Sequence, residues 1–129
     1  MNPLSGIDSA FLAVESRTQP MNVLGTLTLE PEADGPRFDY SAVVARVRRR
    51  LPGIAPLRRR LRPSPFGVLP SLGVLPQAWE DVSVLDAEDH VHLWRIDAPG
   101  STRDLADFVG QIAERRLDRS RPLWKLWVV

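Results

Sequence analysis

The most constraining feature of this sequence is its last six residues, WKLWVV. In an extended strand the apolar side chains of this run divide between two faces, with Trp124, Leu126 and Val128 on one face and Trp127 and Val129 on the other. Two largely apolar faces are typical of a central strand that is covered on both sides. Without partners, such a strand would expose unpaired backbone groups and large apolar side chains. We therefore expect residues 124–129 to require further strands, supplied by a C-terminal half or by self-association.

Two other stretches carry the two-residue period of a strand. Strands are predicted within residues 22–30 and 90–97, in addition to 123–129. The proline-rich stretch 63–76 is predicted to form an irregular hairpin or loop.

Helical spacing of apolar residues predicts helices at 39–51 and 102–116. Asp39 is the predicted N-cap of the first helix, and Ser101 with Asp104 forms a predicted capping box at the start of the second. Strands and helices joined by short connections, in a chain of 129 residues, predict one α+β domain.

Composition excludes several kinds of site. The chain has no Cys, so disulfides, thiolate metal sites and thiol nucleophiles are excluded. His90 and His92 are the two histidines, and no third ligand is identifiable from spacing, so no metal site is predicted. The N-terminus lacks the features of a secretory signal, and no window approaches the ~20 apolar residues of a membrane span. The cytoplasm is therefore the expected compartment.

Positive charge is concentrated in one region, although the net charge is only +1. Residues 46–62 contain many arginines and no acid, and several acids follow between residues 80 and 89. One interpretation is a solvated face of a helix and its following loop. The other is a surface that binds anionic lipid head groups through Arg48, Arg49, Arg58, Arg59 and Arg60. Nucleic-acid binding is not expected, because the arginine run lacks interleaved aromatic residues.

Three segments, in order along the chain, resemble the bacterial wax ester synthase and diacylglycerol acyltransferase family. The first resembles the Leu-Ser-x-x-Asp-x-x-Phe-Leu opening of that family and is met by Leu4, Ser5, Asp8, Phe11 and Leu12. It continues into a Pro-Met-His-Val-like segment, met by Pro20, Met21 and Val23, with Asn22 in place of the expected His. The second resembles a Pro-x-x-Trp segment of that family, followed by an Asp and a His-Val pair. It is met by Pro76, Trp79, Asp86, His90 and Val91. The third is similar to a Leu-Asp-x-x-x-Pro-Leu-Trp segment and is met by Leu117, Asp118, Pro122, Leu123 and Trp124.

The resemblance implies an enzyme that moves an acyl group from acyl-CoA to diacylglycerol or a long-chain alcohol, in triacylglycerol or wax ester synthesis. It implies part of a chloramphenicol acetyltransferase-like domain, with a mixed sheet and flanking helices, and no tightly bound cofactor. The catalytic His-His-x-x-x-Asp-Gly motif of that family does not occur in this sequence. We therefore expect residues 1–129 to be an N-terminal part of an acyltransferase domain, without the C-terminal domain, and to be inactive by itself.

The motif residues also have structural interpretations. Ser5 and Asp8 are interpreted as caps of a first helical turn, and Pro122 as the turn into the last strand. The four tryptophans are interpreted as core residues. The alternative to an acyltransferase segment is a non-catalytic module that binds lipid, in peripheral contact with the inner membrane or with lipid inclusions.

Overall fold

The computed structural model describes residues 2–30, 33–35, 38–63 and 77–129. Helix α1 spans Gly6–Val14, and the Ser5 side chain caps it by accepting a hydrogen bond from the Asp8 backbone N–H at 3.1 Å. The capping role predicted for Ser5 is therefore confirmed. None of the residues of α1 is buried.

Two further helices agree with the predictions from spacing. Helix α2 spans Tyr40–Arg50, and its N-cap is Asp39. Helix α3 spans Thr102–Ala113, and the capping box of Ser101 and Asp104 is present. Short 3₁₀ turns at Leu51–Gly53 and Ala55–Arg58 join α2 to the next strand, and a third, at Ala87–Asp89, precedes the strand that begins at Val91.

A three-stranded antiparallel sheet has the order β1-β3-β2, with β1 at Asn2–Pro3, β2 at Arg59–Pro63 and β3 at Gln77–Asp81. Leu61 of β2 lies opposite Trp79 of β3. This sheet was not predicted, because β2 is mainly arginine and shows no apolar alternation. Residues 64–76, which include most of the predicted proline-rich hairpin or loop, lie outside the described residues.

A second sheet contains two parallel strands, β4 at Val91–Leu93 and β5 at Leu126–Val128. The predictions of strands within 90–97 and 123–129 are confirmed for these shorter spans. Backbone pairing extends one residue beyond β4, where the Trp94 N–H donates to the Val128 carbonyl at 2.8 Å. Together the helices and sheets make the chain an α+β fold.

The strand predicted at residues 22–30 is wrong for this structure. The whole range lies outside any strand or helix, and residues 23–30 are exposed to solvent. No described strand lies beside this segment, so the cross-strand hydrogen bonds that define a strand are not formed within the described chain.

The core lies between α2 and the β4–β5 sheet. Its buried residues are Val44, Ala87, Val91 and Val128, and Tyr40, Val43, Val47 and Trp124 pack around them. The Tyr40 hydroxyl donates to the Val91 carbonyl at 2.8 Å, which ties the start of α2 to β4.

Aromatic side chains pack α3 against the same sheet. Trp94 stacks on Phe108 of α3, with ring centroids 4.7 Å apart, and Phe108 meets the edge of Trp127 at 5.5 Å. The core role predicted for the tryptophans is wrong for Trp94, which is exposed, whereas Trp79, Trp124 and Trp127 are half-buried. No helix in the described ranges is both long enough and apolar enough to span a membrane.

Candidate functional site

The first and third motif segments meet in an N-terminal groove of about 260 Å³. The groove is lined by Phe11, Leu12, Glu15, Met21, Asn22, Val23, Leu117 and Leu123. Leu4, Ser5 and Asp8 lie at the start of α1 and do not line it. The groove is mostly apolar, with one carboxylate and one amide among its lining side chains.

Glu15 fixes α1 to the loop that follows α3. Its carboxylate accepts hydrogen bonds from Arg116 Nε at 2.8 Å and from Arg119 Nη2 at 2.6 Å, and Arg119 also donates to the Leu12 carbonyl at 3.0 Å. The Glu15 side chain is only 10% exposed. Burial opposes its ionisation, but the hydrogen bonds and charges of Arg119 and Arg116 outweigh burial and lower the pKa of Glu15. The result is an ionised, doubly paired clamp.

Asn22 stands where the resemblance leads to the expectation of His. Its Nδ2 donates to the Arg115 carbonyl at 2.7 Å, just beyond the end of α3, with a longer bond of 3.5 Å to the Ala113 carbonyl. Carbonyls at a helix C-terminus have no partner within the helix, so an amide donor suits this position. Asn22 therefore holds the start of segment 23–30 against the end of α3.

The second and third motif segments meet at a histidine cavity of about 220 Å³. It is lined by Asp89, His90, His92, Leu117, Asp118, Arg121, Pro122, Trp124 and Lys125. Leu117 lines both this cavity and the N-terminal groove. The three motif segments, distant in sequence, thus converge on the stretch from Leu117 to Trp124.

His90 is the most constrained polar side chain at this site. It is 2% exposed, its ring stacks on Trp124 at 4.4 Å, and its Nδ1 lies 2.9 Å from the Trp124 carbonyl oxygen. A carbonyl only accepts, so Nδ1 carries the proton of this hydrogen bond. The buried Nε2 has no hydrogen-bond partner among the described residues. His90 thus locks β4 to the Pro-Leu-Trp segment.

His92 lies on the same strand but in a different environment. Its ring is tilted against Trp127 at a centroid distance of 4.7 Å. Desolvation lowers the pKa of His92, the neighbouring Lys125 and His90 lower it further, and Asp89 acts in the opposite direction. His92 is therefore neutral at pH 7. In the described ranges, no group of three or more His, Asp or Glu side chains is placed to hold a metal ion.

Most of the predicted anion-binding arginines are paired with acids. Arg48 lies 2.8 Å from Glu88, Arg59 lies 3.0 Å from Asp81, and Arg60 lies 2.7 Å from Glu80. Arg62 also pairs with Glu80, at 2.6 Å. Hydrogen bonding to Arg60, and then to Arg62, lowers the pKa of Glu80 despite some desolvation. The acids that follow the cluster in sequence therefore pair with its arginines, at Asp81 and Glu80 across the β2–β3 sheet and at Glu88 beside α2.

The other two predicted anion-binding arginines, Arg49 and Arg58, are not paired in this way among the described residues. Arg49 is exposed on α2, whereas the Nε of Arg58 is buried with no partner in the described part of the chain. These arginines are therefore not a uniform, solvent-facing positive surface.

Comparison with known proteins adds the family context. A family model, the wax ester synthase/diacylglycerol acyltransferase catalytic domain, matches residues 4–129. A Mycobacterium tuberculosis (strain H37Rv) protein named as a diacylglycerol O-acyltransferase is 31% identical over 129 residues, which is all of this chain and 24% of that protein. A second protein so named from the same strain is 32% identical over 126 residues, covering 98% of this chain and 44% of that protein.

A solved structure is similar over nearly the whole chain. The wax ester synthase/diacylglycerol acyltransferase from Marinobacter aquaeolei VT8 superimposes with a TM-score of 0.73 at 25% identity, over 98% of this chain and 29% of that one. The chain spans less than half the length of each of these relatives.

Proposed function

Since the chain belongs to the wax ester synthase/diacylglycerol acyltransferase catalytic domain family, we propose that it is the N-terminal part of an O-acyltransferase domain. The reaction is transfer of an acyl group from acyl-CoA to the hydroxyl of diacylglycerol or a long-chain alcohol. The observation that carries this proposal is the family match over residues 4–129. Convergence of the three motif segments on Leu117 to Trp124 supports it.

We also propose that the fold is part of a chloramphenicol acetyltransferase-like domain. The α+β architecture and the likeness to the Marinobacter aquaeolei VT8 structure support this assignment. In this arrangement the described residues supply a scaffold of α2, α3 and the β4–β5 sheet.

The chemistry of such a transfer sets what the site must contain. A general base removes the proton of the acceptor hydroxyl while the oxygen attacks the thioester carbonyl carbon. The tetrahedral oxyanion then collapses, the C–S bond breaks, and CoA leaves as the thiolate, which takes up a proton. In the family this base belongs to the His-His-x-x-x-Asp-Gly motif, which these 129 residues do not contain.

Neither histidine of the chain is suited to replace that base. The ring of His90 is buried against Trp124, and its Nδ1 is already bonded to the Trp124 carbonyl. Desolvation lowers the pKa of His92, which makes its ring a weaker base, and its Nε2 is buried. We therefore propose that these residues shape the site and that the chain alone does not turn over.

An acyl-transfer assay tests both parts of the proposal. The chain alone, given acyl-CoA and diacylglycerol or a long-chain alcohol, is expected to yield no ester above background. Addition of the Marinobacter enzyme without its matched stretch is expected to restore product only when both polypeptides are present. Turnover by the chain alone that disappears in His92→Ala would contradict the proposal that His92 only shapes the site. Arg95→Ala, three residues further along the chain, is the control variant.

A further inference from the structure

We infer that His92 is a pH-sensitive contact between β4 and β5. With a neutral ring His92 holds β5 on the sheet, and with a protonated ring it lets β5 detach. The contact belongs to the folded chain itself and does not depend on the proposed acyl transfer.

The attachment of β5 is one-sided. Its backbone pairs with β4, through hydrogen bonds from the Leu126 N–H to the His90 carbonyl at 2.9 Å and from the Trp94 N–H to the Val128 carbonyl at 2.8 Å. No strand within the stretches that the structure describes pairs with its other edge. A strand with one paired edge depends strongly on the side-chain contacts across that edge.

One of those contacts joins His92 to Trp127, which lie opposite each other in the parallel ladder. Their ring centroids are 4.7 Å apart and their planes are tilted by 40°. Phe108 of α3 meets the edge of the same indole at 5.5 Å. The Trp127 ring therefore links β4, β5 and α3, and loss of the His92 contact weakens this link.

The His92 ring is packed without a hydrogen bond at one of its nitrogens. Its Nε2 is buried and has no partner among the described residues. An imidazolium carries an N–H on both nitrogens, whichever of them holds the proton of the neutral ring. Protonation therefore creates a charged donor at Nε2 that has no acceptor within the described fold, whereas water supplies acceptors once β5 has detached.

The surroundings of the ring also disfavour a positive charge. Desolvation is the main cause that lowers the pKa of His92, and Lys125, the residue before β5, and then His90 lower it further. Asp89 acts in the opposite direction. Since Lys125 adjoins β5, its repulsion of an imidazolium acts between the two strands.

Other charged groups near the ring are neutralised or screened. In the loop after α3, Arg121 lies 3.3 Å from Asp89 and 3.8 Å from Asp118, so both acids share its positive charge. The charged side chains of α2 and α3 are exposed, and solvent screens them from the ring.

The direction of the pH effect follows from these contacts. Attraction between an imidazolium and the Trp127 indole favours protonation, but it leaves Nε2 without an acceptor, so we take desolvation as the larger effect. His92 contributes its full stabilisation above its ordinary pKa of 6.5, and this contribution is lost as pH falls below that value through the lower pKa of the folded chain. We therefore expect β5 to detach more often in mild acid.

Amide hydrogen exchange of the whole chain, followed by NMR together with titration of the His92 ring, tests the inference. After correction for the intrinsic rate, the amides of Leu126 and Trp94 are expected to exchange at least about threefold faster at about pH 5 than at about pH 7. The His92 ring is expected to titrate below 6.5. A ring that titrates above 6.5, or exchange that does not change over this range, would overturn the inference.

Matched variants assign the response to the ring and to its neighbour. His92→Gln and His92→Phe each place a side chain that does not titrate beside Trp127, and each is expected to make exchange of the Leu126 amide independent of pH in this range. If one of the two fails to fold, the other decides. An acid response that persists without His92 would assign it to other groups and contradict the inference.

The charge of Lys125 gives a second matched pair. Lys125→Gln removes a charge that lowers the pKa of His92, so it is expected to shift the ring titration upward and to reduce the acid response, whereas Lys125→Arg is expected to keep both. Equal titrations in the two variants would contradict the repulsion between the strands. Exchange and titration are read without turnover, so a failed acyl-transfer assay leaves these results intact.

Discussion

The N-terminal region, residues 2–30, and the body formed by residues 38–63 and 77–129 are held together by different forces. The body buries Val44, Ala87, Val91 and Val128 between α2 and the β4–β5 sheet. The N-terminal region contains no buried residue. It is attached to the body by the pairing of β1 with β3, by the ion pairs of Glu15 and by the hydrogen bond that Asn22 donates. Stability therefore resides in the body, whereas the N-terminal region is positioned by polar and backbone contacts and leaves large apolar side chains exposed.

The largest expected difference is in the response to loss of an apolar side chain. Val91→Ala removes fully buried methyl groups and is expected to lower the free energy of unfolding by about 2 to 3 kcal/mol. Ile7→Ala, at a residue of α1 that is 70% exposed, is expected to change it by less than about 0.5 kcal/mol. Urea denaturation measures both, and similar losses would show that α1 belongs to the core.

A smaller effect is expected at the clamp. Glu15→Gln removes the charge that pairs with Arg116 and Arg119, and is expected to weaken docking of α1 by about 1 kcal/mol, since both arginines are partly exposed. Limited proteolysis and exchange of the α1 amides report this docking. Glu114→Gln, at an exposed position, is the control and should leave α1 protected. Equal protection in both variants would rule out the clamp as the attachment.

Acid should release the same attachment. The pKa of Glu15 in the folded chain lies below its ordinary value of 4.5, so the clamp contributes fully above that value and is lost as pH falls through the folded pKa. Exchange of the α1 amides, corrected for the intrinsic pH dependence of exchange, should rise over this window. The Glu15→Gln variant should show a flat response there. A parallel rise in the variant would assign the effect to other carboxylates.

The smallest effect is expected at Asn22. Asn22→Ala removes one exposed hydrogen bond to the Arg115 carbonyl and is expected to cost about 0.5 kcal/mol in docking of segment 21–23. Asn22→His restores the residue expected from the resemblance. If Asn22→His recovers the protection from amide hydrogen exchange that Asn22→Ala loses, then the position requires a hydrogen-bond donor. If Asn22→His exchanges as fast as Asn22→Ala, the amide geometry is specific to this chain.

The same division explains which elements could be predicted from the sequence. α2 and α3 carry both an apolar stripe and a local cap, in Asp39 and in Ser101 with Asp104, so short-range signals suffice. The 22–30 segment has the period of a strand, but a strand also needs a neighbour, and no described strand supplies one. The β2–β3 pairing was missed because its arginines are matched by acids about twenty residues later, not by an apolar alternation.

The candidate site shows a similar limit. The motif segments could be recognised in sequence, and their meeting at Leu117 follows from the fold. The clamp could not be foreseen, because Glu15 and its two arginines are separated by more than a hundred residues. Arg116 follows α3 closely in sequence, yet its side chain donates to Glu15, just after α1.

The parallel pairing of β4 with β5 has a consequence for synthesis of the chain. Val91 faces Leu126 across that ladder, and Val128 completes the core begun by Val44 and Ala87. While the ribosome is still adding residues, α2 and β4 can emerge with one side of this core uncovered. The nascent chain therefore exposes that apolar side until residues 126–128 have left the exit tunnel, and during that interval it is prone to aggregation.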